Sequence, residues 1–495
     1  MITKTIKEAI YYAYKHLGLD KEDITYFTNL LLSYFKQSTP YEGEIDENHI
    51  DSLKVPDEII DSITSYLVSE GMDNNEASRR ATYVLGILSP RPSKVISNFF
   101  DKYKVNKESA TKYLYDLSIA NGYIAKTQVD KNQWWLAKFD DGSDIEISIN
   151  LSKPEKNNKD IAKLLKPSLV TSYPKCLLCK ENLGFEGNDH HPARENIRII
   201  PLTLDDNTWY LQYSPYVYYN EHCILFYQDH IPMEVSSWTF KCLFDFIDQF
   251  PHYFIGSNSD LPIVGGSILN HEHFQGGEHL LPLLLAKDKT IIESSYQNTV
   301  ISVVDFYNTA IRLKGKDRSE ILIIANKILN KWLKYDDLDN SIISNDEEGR
   351  HNALTPLLRK NGSDYELTII LRNNKCNDEY PDGIFHAHKE YHHIKKEGIG
   401  LIEAAGLFIL PARLKRQCQE VEDVISKGYS KEEYLSLYPD LDIFTDMINE
   451  MKESHISSRE YINNVCKNIL INTAVYKNTE LGQKSLLKFI KEAIQ

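Results

Sequence analysis

"GGSILNHEHFQGG", residues 265–277, places two histidines and a glutamine at alternate positions between two pairs of glycines. We expect residues 267–275 to form a strand, whose two-residue period puts His271, His273 and Gln275 on one face. An imidazole can attack phosphorus when a hydrogen bond holds its other ring nitrogen, and a glutamine amide can donate to a phosphoryl oxygen. The flanking glycines leave room for a bulky ligand. The alternative is a pair of hydrogen-bonded strand histidines beside flexible turns.

The sequence around this stretch alternates between strand and helix patterns. Three segments between residues 170 and 280 are rich in Ile, Tyr and Val and are separated by turn residues, which is typical of strands. An amphipathic segment with serine caps, 236–250, predicts a helix among them. The order of strands, helix, strand and His-x-His then occurs again, which indicates an internal duplication in outline. The second set comprises strand segments 298–313 and 364–374, a helix over 318–335, and the closing segments 383–391 and 400–414.

The chain is too long for one ordinary core, so we expect several structural units in its 495 residues. Helical periodicity, capping residues and a proline-containing break predict a helical N-terminal domain over residues 1–165. A polar connector bounded by prolines, 151–168, marks its end. Two α+β units with largely antiparallel sheets are expected over 166–300 and 301–415. The charged remainder, 416–495, is predicted to be helical.

Composition and charge argue against several classes of function. The formal net charge of −15 disfavours a general affinity for nucleic acid, because neutralising phosphates needs a basic surface. No run approaches the ~20 apolar residues of a membrane span, and the N-terminus predicts an amphipathic helix rather than a signal peptide. We therefore expect a cytoplasmic protein with no nucleic-acid or membrane partner. A small anionic ligand in a local pocket is compatible with this charge.

Two of the seven cysteines, Cys176 and Cys179, form a Cys-x-x-Cys motif in "YPKCLLCKENLG". Such a turn can present two thiolates to one tetrahedral metal ion. A redox pair would be expected at the strand-to-helix turn of a thioredoxin-like unit, and the surrounding sequence does not match that context. Two ordinary cysteines are the remaining alternative. Because several histidines follow that can complete four ligands, a structural zinc site is favoured over both.

Taken together, these motifs resemble those of the hexose-1-phosphate uridylyltransferases, which belong to the histidine-triad superfamily. The better-known branch carries His-Pro-His-x-Gln where this chain has His-Glu-His-Phe-Gln at 271–275. The length, the helical N-terminal extension and "FIGSNSDLPIVGGSILNHEHFQGG" are similar to the second branch, found mainly in Gram-positive bacteria. The resemblance rests on several ordered motifs over about 170–415. It implies an α+β fold with two histidine-triad-like units, a helical N-terminal domain and a helical tail.

The resemblance also implies a catalytic centre in the first of these units. His273 matches the nucleophile that takes up the uridylyl group, and Gln275 matches the amide that orients the phosphoryl group. Asn258, Gly266 and Ser267 are similar to residues near the substrate phosphates. No organic cofactor is implied. Four residues match the ligands of a structural zinc ion: Cys176, Cys179, His230 and His271.

A second metal site is implied in the following unit. His351, in "GRHNALTP", and the pair His386 and His388, in "FHAH", resemble three of its ligands. The fourth ligand in the family is a glutamate, for which Glu293 is the candidate. This set depends on the resemblance alone.

The implied reaction is a two-step displacement with UDP-glucose and galactose 1-phosphate as partners. His273 attacks the α-phosphorus of UDP-glucose and releases glucose 1-phosphate, and galactose 1-phosphate then discharges the uridylyl-histidine to give UDP-galactose. Tyr213 and Tyr216 are candidates for contact with the uracil and ribose, with packing on a half-buried sheet face equally expected. Arg194 and Arg198 are candidate phosphate partners, with solvated surface positions equally expected. Because this family is commonly dimeric, a homodimer is a further expectation.

Two other functions are compatible with the same motifs. Another histidine-triad enzyme, a nucleotidyl phosphorylase or hydrolase, would use His273 but pass the nucleotidyl group to phosphate or water. A zinc-stabilised binding module would tolerate replacement of His273 without loss of function. Dependence of turnover on a sugar phosphate distinguishes the transferase from the phosphorylase or hydrolase. Loss of function in variants of His273 distinguishes the transferase from the binding module.

Overall fold

The computed structural model describes residues 2–151, 173–188 and 191–495. The chain divides into two compact units, the first formed by Met1–Lys131 with Lys156–His230 and the second by Asn132–Glu155 with Ile231–Gln495. The connector predicted over 151–168 lies almost wholly outside the described residues. The four-part division of the chain stays a prediction.

Helices make up the N-terminal part of the first unit, where helical periodicity predicts them. In Asn74–Leu88, the apolar residues recur every three to four positions, so that one side of the helix is buried. The carboxylate of Asp73 accepts hydrogen bonds from the first N–H groups of this helix. The α-helices of the unit are Ile2–Tyr12, Ile24–Tyr34, Glu47–Ser52, Asp57–Ser69, Asn74–Leu88, Pro92–Val105, Lys107–Ala120 and Lys126–Val129.

The described residues contain fifteen strands, numbered here in chain order. They are β1 (Gln133–Ala137), β2 (Ile145–Asn150), β3 (Ile200–Leu204), β4 (Asn207–Tyr213), β5 (Cys223–Tyr227), β6 (Phe254–Gly256), β7 (His273–Gly277), β8 (Asp288–Ile292), β9 (Thr299–Val304), β10 (Ala310–Gly315), β11 (Asn345–Asp346), β12 (Gly349–Arg350), β13 (Asn352–Asn361), β14 (Asp364–Asn373) and β15 (Leu407–Pro411).

The sheets are largely antiparallel. In the first unit, β3, β4 and β5 form an antiparallel meander. In the second unit, seven strands pair in the order β7-β6-β13-β14-β10-β9-β8, and β1, β2 and β15 form a separate sheet in which β2 and β15 run parallel. The predicted α+β class, with antiparallel sheets and helical ends, is confirmed.

Two helices cover the large sheet of the second unit and create its core. The helix Ser237–Gln249 packs on β6 and β13, and Arg318–Trp332 packs on β10, β13 and β14. Trp332 is fully buried, and its Nε1–H donates to the carbonyl oxygens of Ala353 and Arg372. The other α-helices of the unit are Pro282–Leu285, Leu401–Ala404, Arg413–Lys427, Lys431–Leu437, Thr445–Ser454, Ser458–Thr473 and Glu480–Ile494. Among the described residues, none of the helices combines the length and apolarity that a bilayer crossing requires.

Two predictions at the level of single elements were wrong. Strands β1 and β2 lie in the region predicted to form a helical domain, and they pair with each other and with β15. The strand predicted over 267–275 begins only at His273, because the chain before it folds back as a loop. In that loop Gly265 forms an isolated bridge with Ser259.

Candidate active site

His273 is the first residue of β7 and is only 5% exposed. Its Nδ1–H donates to the carbonyl oxygen of His271 at 2.8 Å, which fixes the tautomer and leaves the lone pair on Nε2. Burial lowers the pKa of His273 to about 4, so the ring is neutral near pH 7. A neutral imidazole with one ring nitrogen held by the protein has the state that a nucleophile at phosphorus needs.

The glycines around His273 serve a different purpose from the one predicted. A Cβ on Gly276 would collide with the carbonyl oxygen of Phe254, since β7 and β6 approach closely at this point. A Cβ on Gly265 would likewise collide with the carbonyl oxygens of Ser259 and Leu261. These glycines therefore permit close contacts of the protein with itself, and the expectation that they leave room for a ligand is not met at these two positions.

The other residues expected to contact substrate are also placed by these loops. Gln275 is half-buried on β7, opposite Gly256 of β6. Asn258 is buried, and its Oδ1 accepts a hydrogen bond of 2.8 Å from the N–H of Leu401. Within the described residues, the Nδ2 of Asn258 has no hydrogen-bond partner, so this amide retains donors for a further acceptor. Gly266 is adjacent to Nδ2, with a Cβ there falling 2.7 Å away, and Ser267 is exposed.

Cys176, Cys179 and His230 form a cluster of metal-binding atoms in the first unit. The two Sγ atoms are 3.6 Å apart, and the Sγ of Cys179 is 3.2 Å from the Nδ1 of His230. For tetrahedral zinc, usual bond lengths place two sulfurs about 3.8 Å apart and a sulfur and a nitrogen about 3.5 Å apart. Both the donor types and their separations therefore fit a zinc ion.

A buried side-chain amide binds the backbone of the loop that carries the two cysteines. The Nδ2 of Asn182 donates to the carbonyl oxygens of Cys176 and Cys179, at 2.9 and 2.7 Å, and its Oδ1 is 2.6 Å from the Nε2 of His191. Without a cation, burial raises the pKa of the Cys176 thiol to about 12. A bound divalent ion would reverse this preference and stabilise the thiolate.

His271, the fourth residue implied as a zinc ligand, belongs to the second unit and is buried. The next residue, Glu272, donates its N–H to the carbonyl oxygen of Ile231, at 2.8 Å. Ile231 directly follows His230 in the chain. Contacts within the second unit thus keep the residue after His271 beside the residue after His230.

The residues implied for a second metal site have separate environments. The ring nitrogens of His351 are 2.9 Å from the Oδ1 of Asn374 and 2.8 Å from the Oδ1 of Asp346. His386 is buried, with no hydrogen-bond partner on either ring nitrogen in the part of the chain that the structure describes. The Nε2–H of His388 donates to a backbone carbonyl, and Glu293 is exposed after β8. The implied ligand set stays a prediction.

A different acidic cluster surrounds His351. Asp346 and Glu348 provide oxygens that lie with His351 in a group of potential metal ligands. The ammonium group of Lys375 is 2.6 Å from a carboxylate oxygen of Asp346 and 3.0 Å from one of Glu348. This ammonium group already supplies the cluster with a positive charge.

The tyrosine and arginine candidates lie in the first unit and differ in their burial and in their hydrogen bonds. Tyr213 is buried, and its hydroxyl donates to the carbonyl oxygen of Thr111. The guanidinium of Arg198 is also buried, and its pKa falls to about 10 because of this burial. Tyr216 and Arg194 are half-buried. The groups that accept hydrogen bonds from Arg198 are the carbonyl oxygens of Gly86, Pro90, Glu195 and Ile197.

These contacts give Tyr213 and Arg198 packing roles in the first unit, whereas Tyr216 and Arg194 keep exposed surface. The ring of Tyr216 is stacked with that of Tyr218, with centroids 6.2 Å apart. The Arg194 guanidinium lies over the ring of Tyr123. Substrate binding by any of the four stays a prediction.

Sequence reasoning did not identify three charged residues of the second unit. Glu272 and Asp260 accept hydrogen bonds from the backbone of 234–235. Arg372 is buried and donates from Nη2 to the carbonyl oxygen of Ile399, while its Nε and Nη1 have no partner among the described residues. The one available signal for Arg372 was a basic residue at the end of the apolar strand "TIIL".

Comparison with known proteins identifies the family. Two family models match in succession, galactose-1-phosphate uridyl transferase N-terminal domain over residues 38–232 and C-terminal domain over 246–437. The galactose-1-phosphate uridylyltransferase of Caldanaerobacter subterraneus subsp. tengcongensis is 41% identical over 99% of this chain and 97% of that protein. Proteins of the same name from Clostridium acetobutylicum and Bacillus subtilis are 44% and 42% identical, over 86% and 83% of this chain and 86% and 81% of their own lengths. The resemblance drawn from the motifs is thus confirmed, and the chain belongs to the galactose-1-phosphate uridylyltransferase family.

Proposed function

We propose that this protein transfers a uridylyl group from UDP-glucose to galactose 1-phosphate through a covalent intermediate on His273. The observation that carries this proposal is the hydrogen bond from the Nδ1–H of His273 to the carbonyl oxygen of His271, which leaves Nε2 as the nucleophilic atom. Membership of the family and the names of its relatives support the substrate pair, a nucleotide sugar and a sugar phosphate.

Each of the two steps exchanges one bond at the same phosphorus atom. In the first, the Nε2 of His273 forms a bond to the α-phosphorus while the bond to the oxygen of glucose 1-phosphate breaks. In the second, a phosphate oxygen of galactose 1-phosphate attacks and the phosphorus–nitrogen bond breaks. The leaving sugar phosphate departs already ionised, so little general acid is needed, and positioning and charge stabilisation supply most of the rate.

Amide donors are well suited to stabilise the charge that develops on the phosphoryl oxygens. The Nδ2 of Asn258 is buried and retains its donors, which supports a role at the substrate phosphates. Gln275 follows His273 by two residues on β7, and we assign it the orientation of the phosphoryl group. Gly266, which lies next to the Nδ2 of Asn258, and Ser267, which follows Gly266 in the chain, are proposed to line the same place.

We assign a structural zinc ion to Cys176, Cys179, His230 and His271. The donor types and distances of the first three support this assignment, and the hydrogen bond between Glu272 and Ile231 supports His271 as the fourth ligand. The ion would neutralise two thiolates, and it takes part in no step of the transfer. A cytoplasmic location and a homodimer also remain proposals.

Trapping of the intermediate tests the proposal. Purified protein is mixed with UDP-glucose labelled in the α-phosphate, without acceptor, and we expect protein-bound label that is lost in acid and survives alkali. Galactose 1-phosphate should discharge the label, His273→Asn should carry none, and the matched control His252→Asn should label like the parent. Label on His273→Asn would refute the nucleophile, and discharge by water or inorganic phosphate alone would favour a hydrolase or phosphorylase.

A further inference from the structure

The peptide group between His271 and Glu272 makes a hydrogen bond at each end. Its carbonyl oxygen accepts the Nδ1–H of His273 at 2.8 Å, and its N–H donates to the carbonyl oxygen of Ile231 at 2.8 Å. Because a peptide group is planar and rigid, turning one end necessarily turns the other. The orientation of this single peptide therefore determines where the imidazole of His273 is held.

The side chain of Glu272 adds a second constraint on the orientation of the same peptide. Glu272 is 2% exposed, and its Oε2 accepts a hydrogen bond of 2.8 Å from the N–H of Glu234. The N–H and the side chain of Glu272 thus form hydrogen bonds to the backbone at positions 231 and 234, which are three residues apart. A buried carboxyl group is costly unless it is hydrogen-bonded, so this contact constrains both segments.

Neighbouring contacts attach the rest of the segment 231–235 to the same loop. The N–H of Met233 donates to the carbonyl oxygen of Leu269 at 2.9 Å. The N–H of Val235 donates to the Oδ2 of Asp260 at 3.1 Å, and Asp260 is paired with Arg350 at 2.7 Å. Glu272 is therefore the residue nearest His273 in a continuous strip of hydrogen bonds.

We infer that Glu272 is a positioning residue for His273: by binding the backbone of Ile231 and Glu234, it holds the peptide whose carbonyl fixes the Nδ1 proton. The inference rests on the proposed role of His273 as nucleophile. It also accounts for the glutamate in a motif that carries proline in the better-known branch. Proline has no N–H and restricts its own φ angle, so the two branches would fix the same peptide by different means.

Two variants separate the length of this side chain from the presence of its carboxyl group. Glu272→Gln keeps the length and an acceptor oxygen but replaces the carboxyl group, whereas Glu272→Asp keeps the carboxyl group and is one methylene shorter. We expect Glu272→Gln to retain a kcat within about threefold of the parent. We expect Glu272→Asp to lower kcat by about 10–100-fold with little change in KM, the effect typical of a displaced catalytic group.

Single-turnover labelling from UDP-glucose provides the decisive readout, because it isolates the attack by His273. Glu272→Asp should slow the rise of bound label, and Glu234→Ala, which removes an exposed carboxylate and keeps the N–H, should label at the parent rate. Thermal unfolding confirms that each variant is folded. The reverse pattern, with Glu272→Asp active and Glu272→Gln impaired, overturns the inference, as does parent-like labelling of both. Failure of the parent to label would instead refute the proposed function.

Discussion

Two His-x-His motifs lie in the second unit, and their histidines make different contacts. In the first motif, Nδ1 of His273 is bound by a carbonyl two residues earlier, and the ring begins a buried strand. In the second, His386 has no ring partner within the described residues, while His388 bonds to the carbonyl oxygen of Ile384 and stacks on Tyr380 with centroids 4.1 Å apart. The second histidines of the two motifs therefore donate from different ring nitrogens, Nδ1 in His273 and Nε2 in His388, and His386 has no acceptor in the described part of the chain that fixes its tautomer.

One histidine of each motif has a lowered pKa. Burial lowers the pKa of both His273 and His386 to about 4, so each ring is neutral near pH 7. Burial alone thus gives a neutral ring, whereas a lone pair on a defined ring nitrogen requires a specific hydrogen-bond acceptor for the other nitrogen. Whether a buried histidine can act as a nucleophile thus depends more on the backbone acceptor near its ring than on its pKa.

The largest expected difference between the motifs is catalytic. His273→Asn should lower kcat for uridylyl transfer on the order of 10⁴–10⁶-fold, the range for loss of a covalent nucleophile. His388→Asn should leave kcat within about threefold, because its Nε2–H is already used within its own loop. Steady-state assays with UDP-glucose and galactose 1-phosphate measure both. Comparable losses in the two variants would remove the distinction between the motifs.

A second prediction concerns the zinc ion that we propose. Cys176→Ser should reduce bound zinc from about one ion per chain to a small fraction and lower the Tm on the order of 10 °C. Elemental analysis and thermal unfolding measure these effects. Cys376→Ser is the matched control, because Cys376 is also partly exposed and lies outside the cluster. Unchanged zinc content in Cys176→Ser would contradict the assigned site.

The third prediction concerns the lowered pKa of His273 and His386. Below pH 6.5 the unfolded chain takes up a proton at each of these histidines, while the folded rings resist protonation down to about pH 4. Stability is therefore lost as the pH falls through this window, by about 2 kcal/mol per ring between pH 7 and pH 5. His386→Gln should reduce the loss by that amount, as measured by urea unfolding at the two pH values. A pH dependence identical to the parent's would show that His386 is accessible to protons in the folded state.

The smallest effect is expected for the aromatic contact of the second motif. Tyr380→Leu removes the ring stacked on His388 and should cost less than about 1 kcal/mol of unfolding free energy. Activity should not change. A substantial loss of kcat would connect the second motif to the reaction and weaken the contrast with the first.

Local patterns in the sequence were sufficient to predict much of the fold. The helix predicted over 236–250 is found as Ser237–Gln249, and the strand predicted over 364–374 is found as β14. These elements are recognisable because their periodicity and caps are encoded by neighbouring residues. Strands β1 and β2 were missed because β15, which completes their sheet, is remote in the sequence.

The candidate site was predictable to a lesser extent. Motif order located His273, and Cys-x-x-Cys located a cluster whose geometry fits a metal. The binding of Arg198 to four carbonyl oxygens was not predictable, because those oxygens come from distant and adjacent segments alike. The contact of Glu272 with Glu234 was equally hidden, since it depends on how two loops meet.

The parallel pairing of β2 with β15 also affects how the chain is made. Ile147 is the register partner of Phe408, so about 260 residues separate the two strands. At a synthesis rate of about 5–20 residues per second, the ribosome needs roughly 13–50 s to deliver β15 after β2 has emerged. During this interval the hairpin of β1 and β2 is marginally stable and presents an unpaired edge. An unpaired edge of this kind can associate with other chains, so the nascent chain is vulnerable at a segment far in the sequence from the proposed nucleophile.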